Sequence, residues 1–245
     1  MPPDAALECT QLTQTKTSSR DRQIAFLFDL DGTLVDSVYQ HVLSWHEAMA
    51  GAGIALSIWR IHRRIGMSGG LFANALLREV DRPMSAELMQ RLRDAHAAAF
   101  KRHAGSITPL PGARELLACL TEQRVPWAIA TSGREETAAG LIAKLGVDPA
   151  KHPVVTRDQV RYAKPDPDLF ETAAERLGVD ILDSVVVGDS VWDLLAAKRA
   201  RALGVGLLSG GYGEDELVQA GAYRVYQDPA DLLIHLDEVG VRRPA

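Results

Sequence analysis

The sequence predicts an α/β protein: a parallel β-sheet with an all-helical second domain inserted after the first strand. Three observations predict it. Short, continuous apolar runs of strand length alternate with helical periods, the pattern of strands buried on both faces and joined by right-handed crossovers. The alternation breaks between about Val38 and His103, where helical periods follow one another without a convincing strand. The chain has 245 residues, 47% hydrophobic and 24% charged, which is globular and long enough to bury a sizeable core.

Residues 1–20 are polar, rich in Ser, Thr and Gln, and have no hydrophobic period, so they read as a disordered tail. The first strand is Ile24-Ala25-Phe26-Leu27-Phe28. Helices then read over Tyr39–Ala50, Ile58–Ile65, Leu71–Val80 and Ala86–Arg102, the last capped by Ser85. Thr108-Pro109-Leu110-Pro111-Gly112 returns the chain to the sheet, which divides it into residues 21–37 plus 109–245 and an insertion at 38–108. Strands follow at Trp127–Ala130, Ser184–Val187 and Ala202–Leu208, with helices at Gly112–Gln123, Arg134–Leu145, Pro167–Leu177 and Val191–Arg201. No internal repeat is visible.

Composition excludes several classes of function. Lys and Arg total 27 against 32 Asp and Glu, a net charge of −5 with no dense basic run, so nucleic acid is not an expected partner. Two cysteines make no disulfide framework: Cys119 reads as a small core residue and Cys9 lies in the polar tail. No apolar run approaches the roughly 18 residues of a membrane helix, and the N-terminus lacks a signal-peptide pattern, so the expected compartment is cytoplasmic.

The chemistry-bearing residues gather where strands end, which is where open α/β sheets bind ligands. After the first strand, Asp29 and Asp31 flank Leu30 and, by strand alternation, point toward one site. Such a pair costs electrostatic energy unless a cation or unequal protonation offsets it. Asp36 and Ser37 fit a turn acid and a helix cap. A later strand ends in Gly188-Asp189, with Asp193 on the same helical face as Asp189. This pattern alone fits acids set against a helix dipole as well as ligands for Mg²⁺, which takes a few carboxylates plus water and phosphate oxygens. Thr131-Ser132-Gly133 opens a helix and offers hydroxyls and N–H groups to an anion, or caps that helix, or both. Lys164 precedes Pro165; taken singly it is a surface lysine, but in this company it could neutralise phosphate and carboxylate charge. Asp166 and Asp168 repeat the Asp-x-Asp spacing, but Pro167 between them suits the first helical position, with Asp166 as N-cap.

In this order, Asp29-Leu30-Asp31-Gly32-Thr33, Ala128-Ile129-Ala130-Thr131, Lys164-Pro165 and Gly188-Asp189 with Asp193 resemble the four signatures of the haloacid dehalogenase-like superfamily. The resemblance covers residues from about 23 to 240. It implies a Rossmann-like parallel sheet core with an inserted all-helical cap domain, similar to phosphoglycolate phosphatases and β-phosphoglucomutases. It also implies roles. Asp29 would be the nucleophile that forms an aspartyl-phosphate, and Asp31 the acid and base. Mg²⁺ would be held by Asp29, Asp31 through its main-chain carbonyl, Asp189 and Asp193, while Thr131, Ser132 and Lys164 would bind phosphate. Gly32 and Thr33 would shape a hinge for the cap.

The expected function is therefore a Mg²⁺-dependent phosphatase acting on a small phosphorylated metabolite. Dehalogenases resemble the chain but lack an acid at the position of Asp31, and the residues from Val38 to Ala99 contain no lysine to serve as the Schiff base of a phosphonoacetaldehyde hydrolase. The harder rival is a phosphosugar mutase, whose cap histidine resembles His41 but whose basic loop residues fall on Ile65 and Gly69. A non-catalytic binding protein on this fold predicts loss of Asp29, Asp31, Lys164 or Asp189, and all four are present. Substrate contacts are expected from the cap, first His41 and Arg64, with Trp45, Arg63, Met67 and Ser68 also candidates. Trp45 and Met49, one turn apart, suit the cap interior. The glycine-rich stretch from Ile65 to Leu71 reads as a loop over the substrate, and Gly210-Gly211-Tyr212-Gly213 lies at the active-site edge without an assigned role. The chain is expected to be a monomer or weak homodimer.

Overall fold

The computed structural model describes residues 24–67, 69–79 and 85–241. The expected disordered tail over residues 1–20, Cys9, Ser68 and Val80 lie outside the described residues. Strand β1 (Ala25–Phe28) is followed by four helices, α1 (Val38–Gly51), α2 (Ile58–His62), α3 (Gly69–Glu79) and α4 (Ala86–His103). Then come α5 (Ala113–Glu122), β2 (Trp127–Ala130), α6 (Glu135–Leu145), β3 (Val154–Val155) and α7 (Asp168–Leu177). The chain ends with β4 (Ser184–Gly188), α8 (Val191–Ala200), β5 (Leu203–Leu207), α9 (Glu214–Ala220), β6 (Ala222–Tyr226) and α10 (Pro229–Ile234).

The strands form one parallel sheet in the order β3-β2-β1-β4-β5-β6, a Rossmann-like arrangement with β1 near its centre. All four residues of β1 are buried because helices cover both faces. Phe26 and Phe28 join Leu116, Leu120 and Leu141 from α5 and α6, whereas Leu27 joins Phe170, Ala173 and Ala196 from α7 and α8. This two-sided burial is the physical reason for the unbroken apolar run.

Register positions the site. Phe28 pairs with Ile129 on β2 and with Val187 on β4, so the three strands end at nearly one level. Asp29, Thr131 and Asp189 follow them and emerge along the same carboxyl edge.

The helical block has its own core, built from Val42, Met49, Ile61, Phe72 and Leu76 around Trp45. Trp45 and Met49 are buried there, as their spacing suggests. Ser85 caps α4, its Oγ accepting from the Leu88 N–H at 3.1 Å. Cys119 packs partly buried against the sheet core.

Three details depart from the sequence reading. The sheet has six strands rather than four, since β3 is two residues long and β6 is a mostly exposed edge strand. The second cap helix stops at His62, three residues early. Helix α7 starts at Asp168 with Pro167 at the N-cap, so Asp166 does not cap it; Asp166 instead accepts from Arg199 Nη1 at 3.0 Å. Asp168 accepts from the Tyr162 N–H at 3.0 Å, which leaves both members of that Asp-x-Asp pair in structural roles. No helix among the described residues is long and apolar enough to cross a membrane.

Candidate active site

At the carboxyl edge of β1 and β4, three buried acids, Asp29, Asp189 and Asp193, bring one carboxylate oxygen each within 4.8 Å of the others. Each is fixed differently. Lys164 is fully buried and pairs with Asp29, and its Nζ lies 2.7 Å from Asp193 Oδ1. Thr33 donates from Oγ1 to Asp189 Oδ1 at 3.0 Å. Ser190 donates to Asp193 Oδ2 from both its N–H and its hydroxyl, at 3.1 and 2.5 Å. The chain makes room for Asp189 with two glycines. Gly32 has φ +82°, and a Cβ there would lie 2.5 Å from Asp189 Oδ2, while at Gly210 it would lie only 1.7 Å away. Thr33 is thus a buried support of the acid cluster, and Gly210 gains the role its sequence did not reveal.

Burial drives the Asp29 pKa up to about 7, against the opposing attraction of Lys164. Burial also raises Asp189 well above the usual carboxylate range, with the Asp193 charge adding to it. For Lys164 burial works the other way, but Asp193 and Asp29 outweigh it and hold the ammonium protonated.

Asp31 is treated separately by the fold. Its carboxylate accepts from Ser37 Oγ at 2.5 Å and lies 3.1 Å from His41 Nε2 on α1. Burial pushes its pKa up, but the charge and hydrogen bond of His41, with the Ser37 bond, bring it below its ordinary value. The three-acid cluster does not include the Asp31 carboxylate.

The phosphate candidates separate likewise. Thr131 is buried, and its Oγ1 accepts from the Gly133 N–H at 2.9 Å. The Ser132 hydroxyl lines the cleft and is buried with no hydrogen-bond partner among the described residues. Lys164 lies behind Asp29 rather than along the cleft wall, so its observed partners are carboxylates.

The cleft between helical block and sheet has a volume of about 400 Å³. Asp29, Asp31, Thr131 and Ser132 contribute to one side, and His41, Trp45, Met67 and residues of α4 to the other. His41 continues to His96, Nδ1 to Nε2 at 3.1 Å, and its ring stacks on Phe100 at 4.0 Å between centroids. Burial, then the neighbouring His41, lowers the His96 pKa well below its usual value. Arg64, expected at the substrate, does not line the cleft: its guanidinium pairs with Glu79 on α3, within reach on the cap surface. Arg63 pairs with Glu216 of α9 and lies 4.2 Å over the Tyr212 ring, tying α2 to the sheet domain. His62 Nε2 meets the Gly210 carbonyl at 2.8 Å in the same junction.

Residues 25–201 match the haloacid dehalogenase-like hydrolase family. The chain belongs to this family. Among its relatives is a phosphoglycolate phosphatase of Neisseria meningitidis, 32% identical over 197 residues that span 79% of this chain and 83% of that protein. Hexitol phosphatase A of Escherichia coli is 34% identical over 177 residues, 71% of this chain and 78% of its own. A solved hydrolase from Pseudomonas syringae superposes with a TM-score of 0.87 at 52% identity, covering 89% of this chain and all 100% of that one.

In this hydrolase the acid cluster suits a hard divalent cation. Its donors are all carboxylate oxygens, and the one buried lysine pairs with two of the three acids, leaving negative charge that, with burial, raises the pKa values of Asp29 and Asp189. Arg93, His96 and Phe72 are cleft residues that sequence reading missed. The available signal was helical: Arg93, His96 and Ala97 stand at i, i+3 and i+4, a polar pair on the inward face of α4.

Proposed function

We propose that this family member is a Mg²⁺-dependent phosphatase that hydrolyses a small phosphorylated metabolite, a phosphosugar or phosphoglycolate-like monoester, through an aspartyl-phosphate on Asp29. The observation that carries the reading is the separation of two carboxyls two residues apart: Asp29 faces Lys164 and the acid cluster, while Asp31 faces Ser37 and His41. Environments that divide a carboxyl pair in this way assign different roles to its members.

Asp29, Asp189, Asp193 and the Asp31 carbonyl would hold the cation, which screens the attacking carboxylate from the phosphate and stabilises charge on the transferring group. Lys164 opposes the effect of burial on Asp29 and aims its carboxylate, and the bound cation would favour the ionised form that attacks. Asp29 attacks phosphorus and the bond to the leaving oxygen breaks; that oxygen takes the proton shared in the Asp31–His41 hydrogen bond. Asp31 then takes a proton from the water that cleaves the aspartyl-phosphate. Thr131 and the unpartnered Ser132 hydroxyl supply donors to the phosphate oxygens. Residues 38–108 serve as cap and residues 21–37 with 109–245 as core, hinged near Gly32, in a cytoplasmic protein that is monomeric or weakly dimeric.

The test is phosphate release from phosphoglycolate, hexitol phosphates and fructose 1-phosphate, each with Mg²⁺ and with a chelator. Metal-dependent release from at least one supports the proposal. Isomerisation of glucose 1-phosphate with a bisphosphate primer, without net phosphate release, would replace it with the mutase reading.

A further inference from the structure

Arg93 stands apart from its neighbours in the cap. Arg63 and Arg64 each have a carboxylate partner, Glu216 and Glu79. Arg93 has none among the described residues: its Nη2 donates to the neutral Gln90 Oε1 at 2.8 Å, and its Nε is buried with no partner at all. It is half-buried and lines the cleft beside His96 and the apolar Trp45 and Phe72. A buried Nε–H left unmet on a side chain that lines a cleft is unfavourable unless a ligand completes it. The other unpartnered polar atom in the cleft wall, Ser132 Oγ, is already accounted for by phosphate, so the two stations call for acceptors on separate parts of one ligand.

We propose that Arg93 is a specificity-determining residue that binds a second oxyanion on the non-reacting end of the substrate. This rests on the phosphatase reading only in taking the cleft as the substrate site. The unneutralised charge selects an anion over a hydroxyl, and the planar fork of N–H donors suits two oxygens on one centre, as in a carboxylate or a second phosphate ester. Arg93 is also held in register with the reacting centre, because His96 one turn away is linked through His41 to Asp31. A cleft of about 400 Å³ holds more than a phosphate, leaving space for a short chain between the two groups.

The test is calorimetric binding, with Mg²⁺ in excess, to an Asp29→Asn protein that cannot turn substrate over. The probes are phosphoglycolate, propanediol bisphosphate and glycerol 3-phosphate, whose far ends are a carboxylate, a phosphate and neutral hydroxyls. At least one probe with a second anionic group should bind about 10-fold more tightly than glycerol 3-phosphate, and which one does so separates the two oxyanion sources. Adding Arg93→Gln should reduce that preference to about twofold, and Arg93→Lys should keep part of it because the charge remains. Thermal melts of each variant report on folding. Equal binding of acid and neutral probes, equal weakening of all three by Arg93→Gln, or no binding of any would overturn the inference. Selective binding that depends on Arg93, in a wild type that releases phosphate from nothing, would instead refute the hydrolytic function and leave this subsite standing.

Discussion

Asp29 and Asp31 carry the same functional group, yet their neighbours divide them: a buried lysine for one, a histidine and a serine for the other. Sequence spacing identified both acids, because a doublet at the end of a buried strand has few structural uses. It could not place Lys164, 135 positions from Asp29 along the chain, beneath the acids instead of at the cleft surface. Lys164→Met should therefore act on stability as well as rate. Removing the ammonium leaves Asp193 without its buried counter-charge and Asp29 with only a proton to neutralise it, a loss of about 3–5 kcal/mol at neutral pH that denaturant titration would measure. Unchanged stability in this variant would show the ion pairs to be worth little. Arg64 teaches the reverse lesson: a basic side chain near the glycine-rich loop suggested a substrate contact, but a nearby Glu79 takes the guanidinium.

At the scale of elements, the legible strands were those with both faces covered, where burial removes every polar residue. β3 offers two residues, too few for any period, and β6 mixes Tyr223 and Arg224 with Val225 at a solvent-facing edge. Both escape a search for apolar runs for that reason. The helical insertion was legible from its missing strands, but the cleft-facing side of α4 was not. His96 meets His41 across 55 residues of sequence, a contact that only the packing of α1 on α4 creates. The loop after β5 was likewise unassigned, since nothing local distinguishes a glycine needed beside Asp189 from an ordinary turn. Gly210→Ala tests that role. Its Cβ would stand 1.7 Å from Asp189 Oδ2, so the carboxylate must move, and Mg²⁺ affinity should fall about 10-fold or more by activity titration. Native metal affinity in this variant would remove Gly210 from the site.

For the whole molecule, the concentrated negative charge of the acid cluster couples metal, pH and stability. The Asp29 pKa rises from 3.8 unfolded to about 7 folded, so its protonated form favours the folded state. That contribution is present in full below about 4 and is lost as pH climbs through about 7 in metal-free protein. Bound Mg²⁺ would take over the protons' role above that range. The melting temperature without metal should fall between pH 5 and pH 8, roughly the span covered by this titration, and added Mg²⁺ should raise it more at the higher pH. Equal Mg²⁺ effects at both values would mean that the cation does not bind through these acids.

The central claim is that Asp29, supported by a divalent cation, performs nucleophilic catalysis on a phosphomonoester. Hydrolysis of a generic aryl phosphate by wild type and Asp29→Asn, each with Mg²⁺ and with chelator, tests it most directly. The account predicts phosphate release by wild type with Mg²⁺ alone and silence in the other three arms, with the variant still folded. Turnover by Asp29→Asn at a rate near wild type, or by wild type in chelator, would contradict it.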